Sequence, residues 1–191
     1  MSEIEIFGFA PSTYVRSARM ACVLSGAPYE LKPLAFKEPS HFALHPFGRM
    51  PIMRHEDVTL FESLAIITYI DDVFNGGRLQ PDAPAEHARM VQWASAAIDY
   101  LYPALVGGLL ADQVGDPEVT AAAEALSKLD AALGEEGHLV AGVTTLADLL
   151  CFPMVAFALT KLDASKAAGL ARLRRFHATL DTTPAGEETR A

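Results

Sequence analysis

Two short strings and one cluster of hydroxyls concentrate the chemistry of this 191-residue chain. In Phe61-Glu62-Ser63-Leu64-Ala65-Ile66 a carboxylate and a hydroxyl stand where a short strand gives way to a helical pattern. A carboxylate accepts from an ammonium group, and the positive end of a helix favours an anion. Glu62 and Ser63 together therefore suit the zwitterionic end of an amino acid. Upstream, His45-Pro46-Phe47-Gly48-Arg49-Met50-Pro51 closes a loop with a proline just before another predicted strand. Near the start of the chain, Ser12, Thr13 and Tyr14 offer three hydroxyl donors where a strand ends and a helix begins.

The surrounding pattern supplies the elements that must hold these groups. Residues 3 to 9 alternate polar and apolar, as a half-buried strand does, until Pro11-Ser12-Thr13 breaks the alternation. A helix is expected from Tyr14 to Leu24, stopped by Gly26-Ala27-Pro28. Tyr29 to Pro33 is expected as a second strand, and Ile52–His55 with Thr59–Phe61 as a hairpin across Glu56-Asp57-Val58. The order strand, helix, strand, irregular or helical segment, hairpin, helix is that of a thioredoxin-like domain. Between Asn75 and Pro84 the residues resist regular structure, so the expected division is a first domain over 1–77, a linker over 78–84 and a second domain over 85–191.

Beyond the linker the spacing is helical. Met90, Trp93, Ala94, Ala97, Leu101 and Leu105 form one apolar stripe, and Pro117 suits the first turn of a helix running to about Gly134. Thr145 and Asp148 stand at N-cap and N3 before an apolar run, a capping box with Asp in place of Glu or Gln, where loss of the Asp148 side chain should cost about 1 kcal/mol or more.

Composition narrows the functions. Half of the residues, 51%, are hydrophobic, enough for a self-sufficient core. A net charge of −9 excludes a general surface for nucleic acid or anionic membranes, which needs clustered Lys and Arg. No apolar run is long enough to span a bilayer and the first residues lack the pattern of a secretory leader, so a cytoplasmic protein is expected. Cys22 and Cys151 are far apart in apolar helical patterns and are expected to be buried thiols, with neither a disulfide nor a metal site.

In this order and spacing, the Ser12-Thr13 junction, the Pro51 loop, Glu62-Ser63-Leu64-Ala65-Ile66, the linker and the Gly142-to-Asp148 cap resemble the cytosolic glutathione transferases. The likeness is strongest to the plant-type (phi) and related bacterial branches, although Arg49 stands where that branch usually has glutamine. The resemblance implies an α/β thioredoxin-like N-terminal domain followed by an all-α C-terminal domain. It also implies glutathione as co-substrate, without a metal.

It assigns residues as well. Pro51 is expected to be cis, presenting the Met50 N–H and C=O to the cysteinyl unit of glutathione as an added strand would. Ser63 is expected to take the γ-glutamyl carboxylate, Glu62 the γ-glutamyl ammonium or the backbone around it, and Lys37 the glycyl carboxylate. Ser12 is the expected donor to the thiol, with Thr13 and Tyr14 open alternatives. No cysteine occupies positions 10 to 15, which argues for addition or substitution by a bound thiolate over mixed-disulfide chemistry.

The implied activity is conjugation of glutathione to a small, largely apolar electrophile in a detoxifying role by a homodimer. Phe47 resembles the aromatic that some members insert into the partner subunit. The second substrate is expected between Pro11 and the first helix of the helical domain, with Tyr100, Leu105, Val106 and Leu109 as walls. Asp99 is an exposed acid or approaches glutathione across a dimer. Arg16 and Arg19 are expected to be exposed or to face a subunit, with steering of carboxylates as the alternative. Rival activities on the same site are a glutathione-dependent isomerase or dehalogenase, and a binding or regulatory protein without turnover.

Overall fold

The computed structural model describes residues 3–111 and 113–190. Met1, Ser2, Asp112 and Ala191, which belong to the domains expected from the sequence, lie outside the described residues. The chain divides into two units. The first runs through Leu79 and is rejoined by the residues from Thr183 onward, and the second is Gln80–Thr182.

The first unit is built on β1 (Ile4–Phe7), α1 (Thr13–Ser25), β2 (Tyr29–Lys32), α2 (Pro39–Leu44), β3 (Ile52–His55), β4 (Val58–Phe61) and α3 (Ser63–Asn75). The sheet order is β2-β1-β3-β4. β1 is parallel to β2 and antiparallel to β3, which is antiparallel to β4. This is the thioredoxin-like arrangement.

The alternation in β1 is realised in packing. Ile4 and Ile6 are fully buried, whereas Glu5 lies 3.7 Å from both Lys32 on β2 and Arg54 on β3. α1 and α3 pack against each other and close the core with Val15, Met20, Ile66, Ile67 and Ile70. α1 ends at Gly26 in the left-handed conformation. The hairpin is one residue tighter than its expected form, because His55 pairs directly with Val58 and only Glu56-Asp57 turns. After α3, the buried Asp71 carboxylate accepts from the Leu79 N–H at 3.1 Å and from Asn75 at 2.8 Å, fixing the exit of the unit.

The second unit holds α4 (Pro84–Ala96), α5 (Asp116–Ala132), α6 (Leu146–Lys161) and α7 (Ala171–Asp181). α4 runs on through looser i→i+5 turns at Ala97–Leu101 and Pro103–Gly107 before a 3₁₀ turn at Gly108–Leu110. Pro103 has no N–H to give the Asp99 carbonyl, and Tyr102 and Gly108 each donate five residues back. The apolar step of four at Ala97, Leu101, Leu105 and Leu109 overshoots the 3.6-residue α turn, and the wider turns absorb the overshoot, leaving all four buried.

Every residue from Leu146 to Val155 is buried, so α6 is the centre of this unit. At its start the Asp148 carboxylate accepts from the Thr145 N–H and hydroxyl, both at 2.8 Å, and from the Leu139 N–H at 3.0 Å. Burial pushes this carboxyl above its ordinary range, against the downward pull of those three donors.

The end of the chain departs from the division expected from the sequence, which placed everything from 85 to 191 in the helical domain. α8 (Pro184–Glu188), capped by Thr183, packs on α1 in the first unit. Arg16 and Arg19 on α1 donate to carbonyls of α8 and its C-cap, Arg16 to Gly186 and Arg19 to Glu188 and Thr189, each at 3.1 Å. Both arginines therefore hold the chain's own C-terminal segment and are half-buried there, where full exposure was one of the expectations.

Candidate active site

Strand register brings the candidate residues to one end of the sheet. Phe7, the last residue of β1, pairs with Lys32, the last of β2, and with Ile52, the first of β3. Ile52 in turn pairs with Phe61, the last of β4. The segments carrying Ser12, Lys37, Met50-Pro51 and Glu62-Ser63 all leave the sheet at this end.

Ser12 is the N-cap of α1. Its Oγ accepts from the Val15 N–H at 3.4 Å, and its own N–H donates to the Phe9 carbonyl at 3.0 Å. A hydroxyl has one hydrogen to donate besides its acceptor lone pairs, so capping leaves the Ser12 donor uncommitted. Ser12 and Tyr14 are half-buried, while Thr13 is 6% exposed.

The Met50-Pro51 bond is cis. Met50 lies against the exit of β1: a Cβ built on Gly8 would stand 3.6 Å from both Cβ and Sδ of Met50. That same Cβ would stand 2.4 Å from Val15 Cγ2, so only glycine lets α1 approach the strand here.

Glu62 occupies the turn from β4 into α3 with φ 71 and ψ 118, a region that disfavours any side chain. Its carboxylate is exposed and makes no capping bond to α3. The first bond of the helix runs from the Ile66 N–H to the Glu62 carbonyl, so the N–H groups of Ser63, Leu64 and Ala65 have no intrahelical acceptor. Ser63 is buried, 6% exposed, at this positive end.

Lys37 is exposed in the loop between β2 and α2 with φ 65, its Nζ 5.6 Å from the Phe36 ring centroid. Two residues not singled out as ligands or donors from the sequence stand behind it. His41 is buried and joins the Lys37 N–H to the Arg49 carbonyl. His45 is buried against Phe61, ring centroids 4.8 Å apart, and its Nδ1 accepts from the Phe47 N–H at 3.3 Å. Burial pulls the His45 imidazole below its ordinary range, opposed by the Glu62 carboxylate and helped by His41 and Arg49. Two histidines four apart, His41 on α2 and His45 at its C-cap, among four phenylalanines, are the signal that could have found them.

Phe47 is 72% exposed. Of the expected substrate walls, Leu105, Val106 and Leu109 are buried within the second unit, whereas Tyr100 is exposed. Among the described residues no group of three or more His, Cys, Asp or Glu could hold a metal ion. Among them, too, no helix is long and apolar enough to cross a membrane.

A thioredoxin-like sheet with a cis-proline loop beside a strand-to-helix turn, followed by a helical unit, is the architecture of the glutathione transferases. Residues 2–72 match the family model for the glutathione S-transferase N-terminal domain. Glutathione S-transferase 1 of Triticum aestivum is 30% identical over 186 residues, covering 84% of this chain and 81% of its own. Glutathione S-transferase 4 of Zea mays is 27% identical over 169 residues, 80% of this chain and 76% of its own. The chain belongs to the glutathione S-transferase family. In fold it is similar to poplar glutathione transferase F1, with TM-score 0.87 at 23% identity over 99% of this chain and 97% of that one. It also matches a theta class glutathione S-transferase from Xanthomonas axonopodis pv. citri with glutathione bound, with TM-score 0.83 at 25% identity over 99% and 97% of the two chains.

Proposed function

We propose that this protein transfers the thiolate of glutathione to a small apolar electrophile, with glutathione lying across the end of the sheet. The observation that carries the reading is the register Phe7–Ile52–Phe61, which gathers a hydroxyl donor, a cis-proline loop and a helix N-terminus on three neighbouring strands. Family membership supports the same chemistry.

In this reading the orphan N–H groups of α3 and the Ser63 hydroxyl receive the γ-glutamyl carboxylate, and Glu62 receives the ammonium. The Met50 backbone pairs with the cysteinyl unit, and Lys37 faces the glycyl carboxylate. Ser12 donates to sulfur. A thiol near pKa 8.5 is mostly protonated at neutral pH, and each unit of lowering requires about 1.4 kcal/mol in favour of the thiolate. The positive end of α1 adds to that donor. The thiolate then forms the carbon–sulfur bond while the electrophile's leaving group departs, or its activated double bond takes up a proton. The proposal extends to a cytoplasmic homodimer with a detoxifying role.

The test is glutathione consumed against product formed over a panel of aromatic halides, activated alkenes and epoxides, beside a thermal shift with glutathione alone. One glutathione lost per conjugate, and a melting temperature raised by millimolar glutathione, are expected. Catalysis with full return of glutathione would convert the reading to an isomerase or dehalogenase. An unmoved melting temperature would remove the site.

A further inference from the structure

The imidazole of His41 closes a ring of structure that no single element accounts for. It is 1% exposed on α2. Its Nδ1 accepts from the Lys37 N–H at 2.9 Å, and its Nε2 faces the Arg49 carbonyl at 2.8 Å. A nitrogen that accepts carries no hydrogen, so the neutral tautomer with hydrogen on Nε2 is the one that satisfies both partners, and Nε2 donates to Arg49. An imidazolium has hydrogens on both nitrogens and would oppose the Lys37 N–H. The His45 ring stands with its centroid 6.2 Å away, and the rings of Phe36 and Phe42 pack at 5.3 and 5.8 Å.

The two partners are the backbone of a strained, exposed lysine at φ 65 and the residue immediately before Met50-Pro51. We infer that His41 is a positioning residue that sets the distance between the glycyl-carboxylate cation Lys37 and the cysteinyl-pairing backbone at Met50, and so selects the tripeptide over γ-glutamylcysteine. This rests on the glutathione reading above. Without the ring, the loop bearing Lys37 keeps its charge but loses the bond that ties its backbone to the Met50 loop.

The experiment is isothermal titration of glutathione and of γ-glutamylcysteine against the wild-type chain, His41→Phe, Lys37→Ala and the double variant. His41→Phe keeps an aromatic ring and removes both bonds. The expected result is a wild-type preference for glutathione of about ten-fold or more that shrinks several-fold in His41→Phe, with γ-glutamylcysteine affinity within about two-fold of wild type. Lys37→Ala should shrink the preference similarly and the double variant little further, since residues acting through one contact are not additive. Equal weakening of both peptides, an unchanged preference, or additive losses would overturn the inference. If the wild-type chain binds neither peptide, the glutathione reading itself fails. Should His41→Phe not fold, His41→Gln, which can still donate to the Arg49 carbonyl, carries the same comparison.

Discussion

Arg16 and Thr189 are 173 positions apart in the chain, yet Arg16 Nε donates to Thr189 Oγ1 at 3.3 Å. Thr189 is fully buried, and its hydroxyl donates in turn to the Ala185 carbonyl at 2.6 Å. α1, the helix that carries Ser12 at its start, is thus clamped from its flank by the last turn of the chain.

Removing that turn should be felt in the first unit. A chain ending at Thr182 leaves Arg16 and Arg19 without three carbonyl acceptors, and hydrogen bonds from charged donors contribute about 1.5 to 3 kcal/mol each in favourable settings. Partial exposure reduces this to an expected total of about 2 kcal/mol, measured as a lowered urea midpoint. An unchanged midpoint would make the clamp incidental.

Glu62 should show opposite effects on stability and binding. Its φ of 71 costs of order 1 kcal/mol for any side chain and nothing comparable for glycine. Glu62→Gly is expected to hold or raise the melting temperature while weakening glutathione by roughly 1.5–3 kcal/mol, and Ser63→Ala to weaken it similarly with less effect on maximal rate. Titration calorimetry with thermal melts separates the two quantities, and full affinity in both variants would return them to a purely structural helix start.

Ser12 caps α1 and is also the proposed donor to the thiolate, so alanine confounds two losses. Capping serines cost about 1 kcal/mol when replaced by alanine but only a few tenths when replaced by glycine. Ser12→Gly should therefore keep stability and raise the pKa of bound glutathione by roughly one to two units, equivalent to about 1.4–2.8 kcal/mol, followed by thiolate absorbance against pH. Thr13→Ala and Tyr14→Phe should move it less. A wild-type titration in Ser12→Gly with a large shift in either neighbour transfers the donor role.

Asp148 should cost more than a cap. Alanine there strands the N–H groups of Thr145 and Leu139 inside the second unit, at about 1 to 3 kcal/mol each. The expected loss is about 3 kcal/mol or more, above the roughly 1 kcal/mol of a surface cap. Denaturant unfolding measures it, and a loss near 1 kcal/mol would show that water repairs the vacancy.

The lowered pKa of His45 gives a sign to acid stability. As pH falls, the unfolded imidazole, near 6.5, takes a proton that the buried one resists, so the unfolded state binds more protons and stability falls with pH. The contribution is complete above about 6.5 and is lost as pH drops through the folded value. His45→Asn, whose side-chain carbonyl can still accept from Phe47, should flatten the dependence of melting temperature on pH between about 7.5 and 5.5. A slope identical to wild type would assign the acid sensitivity elsewhere.

The thioredoxin-like order and the positions of Ser12, Pro51 and Ser63 were legible because their signals are local: a breaker after an alternating strand, a proline before one, a hydroxyl opening an apolar helix. His41 was not, since its partners are backbone groups whose approach depends on a left-handed Lys37. The return of Thr183 to Arg190 was hidden for a related reason. A five-residue helix has too few turns to show a periodicity, and its anchors lie in α1. The looser turns after Ala96 left a trace in the step of four, which is visible only once the stripe is known to be buried.

Cys22 and Cys151 are both fully buried, and burial pushes the Cys22 thiol up to about 12 and Cys151 higher still. At neutral pH neither presents a thiolate to a reagent in solution. The folded protein is therefore silent to colorimetric thiol reagents, and the free sulfhydryl in a reaction mixture counts glutathione alone. A slow appearance of protein thiol in glutathione-free buffer therefore reports unfolding of the chain.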